Sequence, residues 1–529
     1  MAGLLFLLCL TLASAMHRPN IVMMVVDDLG YNNLHAPPHH TNSEIRSPAM
    51  ARLAHEGVTL TNYYAYPICG PSRASLLTGR FPGHGVSEAM FSPATARGYN
   101  SNLTMLPAKL HQAGYSTHAL GKWHCGFWHR KFLPTSRGFD TFTGYLSGSE
   151  DHFDQTTVDS CAEHRVIATD LWQDRGDGSA PLGGTNAYGL NGTYDSYTYT
   201  QMAVDIIRSH AGKSPRNPFF LYFAMHNIHG PIQADQRFQD MYGETIFPKR
   251  RTLDAMVSAA DETLANITAA LEETGMSEDT LLVLVSDNGG PIVEGSGHWS
   301  PGSNYPLRGG KYSHFEGGIK VVGMVKYPRL LSSRAGQLWG GLMHVSDWYS
   351  TFCHLVGVDP NDSGPGKVSI DGVNIWPGLV TGGESPRKEL IVGMAGGHRG
   401  AYRAGSMKLL VGMQVDAWVG NAYPNASTPS TVWPSAKACR PACVYNLTAD
   451  PREEVDLMKL RPAVAHQLLK RFRSLVNQLQ MKDEDGDFPA GHVHPKDPAA
   501  CSIAAQTGWW KPWAREAASV QAEERNLLV

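Results

Sequence analysis

Four short apolar runs constrain this chain more than anything else in it, because each stops abruptly at side chains that avoid a core. Residues 21–26 run into Asp27 and Asp28, and a run ending at Leu120 precedes Lys122 and His124. Residues 219–225 precede His226 and His229, and residues 281–285 precede Asp287 and Asn288. Such runs show no alternation, so both faces require burial; separated by helical patterns, they read as parallel strands of an α/β sheet. Ligands of open α/β sheets bind beyond the carboxyl ends of the strands. The spacing therefore predicts that all four polar sets converge on one edge. Singly, each has a plain explanation: an Asp after a strand usually caps a helix or makes a turn, and a His or Lys there is usually structural or solvated. Four such ends together point to a site.

Asp27, Asp28, Asp287 and Asn288 offer only oxygen donors. That set suits a hard cation such as Ca²⁺ or Mg²⁺ rather than zinc. Three carboxylates so close would repel one another without it, and a negatively charged substrate oxygen could complete the coordination.

The N-terminus, MAGLLFLLCLTLASA, has a short apolar centre and ends small-x-small, as a cleaved secretory signal does. Residues 1–15 are expected to be removed, and no later run reaches the ~20 apolar residues of a membrane helix. Six N-x-S/T sequons agree with a secretory route: Asn102, Asn191, Asn266, Asn361, Asn425 and Asn446. Asn266 lies in a helical pattern whose stripe is Val257, Ala260, Leu264, Ile267 and Leu271, and it points away from that stripe. With 45 basic and 48 acidic residues and no block of like charge, neither nucleic acid nor an anionic membrane is an expected partner. Seven cysteines remain after Cys9 is removed. An odd number in an oxidising compartment leaves at least one unpaired or altered.

Cys69 is the candidate. It opens CGPSRASLLTGR, residues 69–80, which resembles the sulfatase signature C-x-P-S-R-x-x-x-L-T-G-R. GYSTHALGKWH, around Lys122 and His124, resembles the second signature of that family, and PLRGGKYSHFEGG places Lys311. FLPTSRGFDTFTGYLSGSEDH, residues 132–152, is most similar to the animal arylsulfatase B-type branch. The resemblance runs from Asn20 to about Asp456, with a weaker echo in GWWKPW near the end. Cys125, where an apolar residue would be expected, and sparse cysteines after Asp151 depart from that branch.

The resemblance implies an alkaline-phosphatase-like α/β fold: a catalytic domain over residues 16–381 with a large, mostly parallel sheet, then a smaller α+β domain over 382–529 with an antiparallel sheet and a packed helix. It implies that Cys69 is converted to Cα-formylglycine by a formylglycine-generating enzyme that reads Pro71 and Arg73. The hydrated aldehyde, itself a ligand of the ion, would attack the sulfur of a sulfate ester, form a covalent sulfo-enzyme and expel sulfate. Arg73 and Lys122 would add positive charge, His124 would remove the proton from the second hydroxyl, and His229 and Lys311 would help the alcohol depart. The implied substrate is N-acetylgalactosamine 4-sulfate or an aryl sulfate, in a lysosomal or extracellular enzyme. A dietary or plant sulfate ester such as a glucosinolate is an alternative. A phosphatase or phosphodiesterase of the same fold would use Ser or Thr and zinc with His ligands. A binding protein that had lost activity would lack Cys69, Arg73 or a metal ligand, and none is missing. Residues 173–193 read as a Gly-rich loop. AVAHQLLKRFRSLVNQLQ reads as a helix with Leu468, Phe472, Leu475 and Leu479 on one side.

Overall fold

The computed structural model describes residues 18–38, 44–88, 90–161, 164–175, 185–186, 190–213, 217–244, 248–292, 300–363, 367–393, 398–416, 435–479 and 496–514. The signal segment, the Asn425 sequon and most of the loop over 173–193 lie outside them.

The four apolar runs are adjacent strands. Thr280–Ser286, Asn20–Val26, Phe219–Met225 and Ser116–Lys122 lie side by side in that order, every pair parallel. Val26 sits opposite Met225 on one side and Ser286 on the other, and Ala224 sits opposite Gly121. The four strands therefore end at one level. The fourth strand continues two residues past its apolar run, as far as Lys122.

These strands form the centre of a ten-stranded sheet. Gly323–Lys326, Val58–Leu60 and Gln337–Trp339 extend it on one flank, and Thr141–Tyr145, Trp172–Arg175 and Thr185–Asn186 on the other. Alternate side chains of Asn20–Val26 enter opposite cores. Ile21, Met23 and Val25 meet the helices Cys69–Thr78, Leu106–Gln112 and Asp347–Val356. Val22, Met24 and Val26 meet the helices Pro48–Glu56, Asp195–Ala211 and Pro248–Glu273. Coverage on both faces explains why the runs lack polar residues until they end. All five stripe residues of Pro248–Glu273 are buried and Asn266 is exposed, as the periodicity requires.

A separate four-stranded antiparallel sheet, Glu389–Val392, Gly400–Ala404, Met407–Asp416 and Ser435–Asn446, packs the helix Pro462–Leu479 on one face. Leu468 and Phe472 are buried as expected. Leu475 and Leu479 are only half-buried, and Ala465, Leu469 and Val476 complete the buried line. The other face of this sheet meets Tyr64, Tyr66, Phe315 and Ile319, which lie in segments outside the ten-stranded sheet. Residues 496–514 leave the small sheet and return to the hairpin of Thr156–Cys161 and His164–Thr169, although sequence placed them with the smaller domain. Cys161 is disulfide-bonded to Cys501 there, Trp510 donates to the Thr169 carbonyl, and the Trp510 indole donates to the Thr157 carbonyl. The GWWKPW stretch thus anchors this return.

A second disulfide joins Cys439 to Cys443, while Cys69, Cys125 and Cys353 are buried free thiols. Asn102, Asn191 and Asn361 are exposed like Asn266, and Asn446 is half-buried. Among the described residues no helix is long and apolar enough to cross a membrane.

Candidate active site

Of the eleven residues nominated from sequence, ten meet at the carboxyl edge of the four strands. Asp28 and His124, each just beyond a strand end, adopt left-handed backbone at φ 61° and 54°. That conformation is costly for a residue with a Cβ and clusters at functional sites. Gly148 packs on the His124 ring so closely that a Cβ would lie 2.9 Å from its Nε2, so no larger residue fits without moving the imidazole.

Cys69 is the first residue of the helix Cys69–Thr78. The residues before it are fixed by Ser72, whose hydroxyl accepts from the Tyr66 amide and donates to the Tyr66 carbonyl. The Cys69 Sγ lies 3.3 Å from His124 Nδ1 and is only 2% exposed. One turn on, Arg73 reaches Asp287 Oδ2 through Nε at 3.0 Å and Nη2 at 2.8 Å, with Asp27 Oδ2 at 3.4 Å. Lys122 Nζ pairs with Asp27 Oδ2 at 2.6 Å, and Lys311 Nζ pairs with Asp28 at 2.7 Å. Asn288 Nδ2 donates to Asp28 Oδ1 at 2.7 Å, the Asp28 amide donates to Asp287 Oδ1 at 3.2 Å, and His229 Nε2 is 3.7 Å from Asp28 Oδ2.

Three buried carboxylates thus face three cations, Arg73, Lys122 and Lys311. Burial opposes ionisation of Asp27, but Lys122, His229 and Arg73 hold its carboxyl well below the usual range. Burial raises Asp28, with Lys311 opposing and Asp27 adding to it. Burial, then repulsion from Asp27, pushes Asp287 up to about 6. The carboxylates are under-compensated where they face one another. Asp27 Oδ1 and Asn288 Oδ1 are buried without a hydrogen-bond partner, and ligand atoms of Asp27, Cys69 and Asp287 lie within 4.8 Å of one another. Orphaned hard oxygen donors beside repelling carboxylates fit a divalent oxygen-seeking cation.

The two histidines are neutral. Burial, then Lys122 and Arg73, drives His124 well below its ordinary value, and burial, then Lys311, does the same to His229. His229 Nδ1 lies 2.7 Å from the Gly230 carbonyl. A carbonyl can only accept, so Nδ1 carries the hydrogen and Nε2 presents a lone pair. Burial opposes protonation of Lys311, but Asp28 keeps its ammonium charged.

His226, nominated with His229, turns elsewhere. Its Nδ1 bonds Asp195 Oδ2 at 2.7 Å, and Asp195 Oδ2 also takes His152 Nδ1 at 2.9 Å. His152 Nε2 in turn reaches the His229 carbonyl at 3.1 Å. Sequence reading missed Asp195 and His152 because neither ends an apolar strand.

A sequence model of the sulfatase family matches residues 19–358. The chain belongs to the sulfatase family. This sulfatase is 33% identical to mouse arylsulfatase J over 94% of its own length and 81% of that protein's. It is 32% identical to mouse N-acetylgalactosamine-6-sulfatase over 70% of its length and 68% of the relative's. A PsFucS1 sulfatase from Pseudoalteromonas sp. has the same fold, with a TM-score of 0.69 at 24% identity over 88% of this chain and 91% of that one. The enzyme is a sulfate ester hydrolase on an alkaline-phosphatase-like fold, as its sequence implied.

Proposed function

We propose that this sulfatase uses Cys69, converted to formylglycine, to cleave the sulfate ester of a terminal N-acetylgalactosamine, with aryl sulfates as artificial substrates. The observation that carries the chemistry is the Cys69 Sγ beside a neutral His124, at the rim of three carboxylates balanced by three cations. Here Sγ stands in for the oxygens of the hydrated aldehyde. When present, one divalent ion, Ca²⁺ before Mg²⁺, held by Asp27, Asp28, Asp287 and Asn288, supplies charge neutralisation, and formylglycine supplies the nucleophilic oxygen. Arg73 and Lys122 grip the sulfate oxygens where negative charge accumulates. His124 accepts a proton at Nδ1, facing the position-69 side chain. Lys311, paired with Asp28, delivers an N–H and positive charge to the departing oxygen, and His229, whose hydrogen is on Nδ1, can donate there only once Nε2 has taken up a proton.

The B-type resemblance supports the 4-sulfate, while the N-acetylgalactosamine-6-sulfatase relatives favour the 6-sulfate as a second reading. We place the enzyme in the secretory pathway, in the lysosome or outside the cell. Two measurements test the reading on protein secreted from animal cells. Peptide mass spectrometry of residues 69–80 should show formylglycine at position 69. Di- and trisaccharides bearing N-acetylgalactosamine 4-sulfate should be desulfated faster than their 6-sulfated counterparts or a glucosinolate. An intact thiol at position 69 in fully active enzyme overturns the chemistry, and preference for either alternative overturns the substrate.

A further inference from the structure

The loop that delivers Lys311 is tied to its own domain by the Lys311 and Tyr312 amides, which donate to the Gly290 and Pro67 carbonyls. It is fastened a second time from the small sheet and the loops beside it. Arg308 Nη1 donates to the Glu453 carbonyl at 2.5 Å, and Arg399 donates to the Tyr312 carbonyl. Gln414 Oε1 accepts from the His314 amide at 3.1 Å. Glu316 donates its amide to Glu453 Oε2 at 2.6 Å, and its side chain pairs with Lys408 Nζ at 2.8 Å. Lys408 closes the figure with Glu453 Oε1 at 2.9 Å. Lys408 and Gln414 lie on the strand Met407–Asp416, and Arg399 and Glu453 lie in its neighbouring loops. The anchors at 308, 312, 314 and 316 bracket Lys311, whose neighbour Tyr312 is held in left-handed backbone at φ 72°.

Lys408 and Glu453 are fully buried and Glu316 is 2% exposed. Such a triad is a costly way to join the small sheet to the segment after Lys311, because well-packed apolar residues of similar volume are often as stable or more so. Charged and amide partners instead fix direction and distance, which a loop without strand register cannot fix for itself. Lys311 is the group that needs them. Its ammonium must reach both Asp28 and a departing oxygen, and a shift of ~1 Å in such a group can cost about 100-fold in rate.

We propose that Lys408 and Gln414 are positioning residues of the hydrolysis: they set the reach of Lys311 Nζ to the departing oxygen, so the small sheet governs which alcohols can leave. This rests on the assignment of Lys311 to the leaving group. A poor leaving group depends on that ammonium, whereas a stabilised phenolate does not. The test is a series of aryl sulfates from nitro-substituted phenols to unsubstituted phenol, with kcat compared within one preparation so that the folded fraction cancels. Lys408→Met should lower kcat for phenyl sulfate by about 100-fold and for nitrophenyl sulfate by less than about threefold. Gln414→Leu leaves the ion triad intact and should show the same selectivity at about tenfold; it decides the matter if Lys408→Met does not fold. Equal losses along the series in the variants that fold, or no loss, overturn the proposal. Lys311→Ala separates the two ideas. A selective loss there with uniform losses in the small-sheet variants refutes the positioning role alone. A uniform loss in Lys311→Ala refutes the leaving-group assignment and this proposal with it.

Discussion

The two sides of the site are held by different physics. On the side we assign to the nucleophile, Lys122 ends, and Asp27, Asp28, His124, Asp287 and Asn288 follow, strands whose apolar residues fill two cores, and register places them at one level. On the side we assign to the leaving group, Lys311 sits on a loop held by the Gly290 and Pro67 carbonyls and, further, by hydrogen bonds and ion pairs to the second sheet and its loops. Hydrophobic burial is non-directional, and becomes exact only when register converts it into position. Polar anchors are directional and fail one bond at a time. Damage to the first side should remove activity altogether, whereas damage to the second should grade it by substrate.

The largest effect should come from Cys69→Ala, which lowers kcat by at least about 10⁴-fold for every ester tested. Its melting temperature should stay near that of the parent; residual turnover that varied with the leaving group would blur the comparison. Asp287→Asn comes next. It keeps an oxygen for Arg73 but removes a ligand charge, so elemental analysis should show loss of a bound divalent ion and assays a uniform loss of rate. Asparagine is preferable to alanine, because stripping Arg73 of its closest partner would strand a buried cation at roughly 3–5 kcal/mol. Chelation of the parent should do the same reversibly and lower the melting temperature, since an ion bound only to the native state stabilises it. Stoichiometric zinc in the purified protein would contradict the oxygen donor set.

The smallest expected effect lies outside both sides. His118 Nε2 faces His210 Nε2 at 2.9 Å. Burial, with Lys213 nearby, pushes His118 down to about 4; burial, then His118 itself, pushes His210 to the same value. Both titrate near 6.5 when unfolded. The unfolded chain therefore binds more protons than the native one between those values. Their contribution is complete above about 6.5 and is lost as pH falls toward about 4. Thermal melts across that interval should show the decline, and His210→Gln should flatten it without altering the leaving-group series at neutral pH. An unchanged acid slope would remove this pair from the account.

These differences explain what could be read beforehand. The central strands and their terminal residues were legible because continuous apolar runs have few other uses and their ends are abrupt. Arg73 and Lys311 came from resemblance, since neither ends such a run. The return of residues 496–514 to the hairpin was not legible, because the Cys161–Cys501 bond spans 340 positions and parity alone fixes no pairing. Lys408, Glu316 and Glu453 were missed because an isolated charge in a strand or loop reads as solvent-facing. His152, Asp195 and His226 share one carboxylate oxygen through three elements distant in sequence, and no local spacing announces that.

The depth of Cys69 also sets an order of events. With 2% of its surface exposed at the start of a packed helix, its thiol is closed to any other protein once this chain has folded. On the proposed conversion to formylglycine, the modifying enzyme must reach residues 69–80 before they pack, so conversion and folding would compete in time. On that reading a chain that folds first would keep its buried thiol and lack the proposed nucleophile. The active fraction of a preparation would then be decided during synthesis, and slowing the folding of the surrounding strands should raise it.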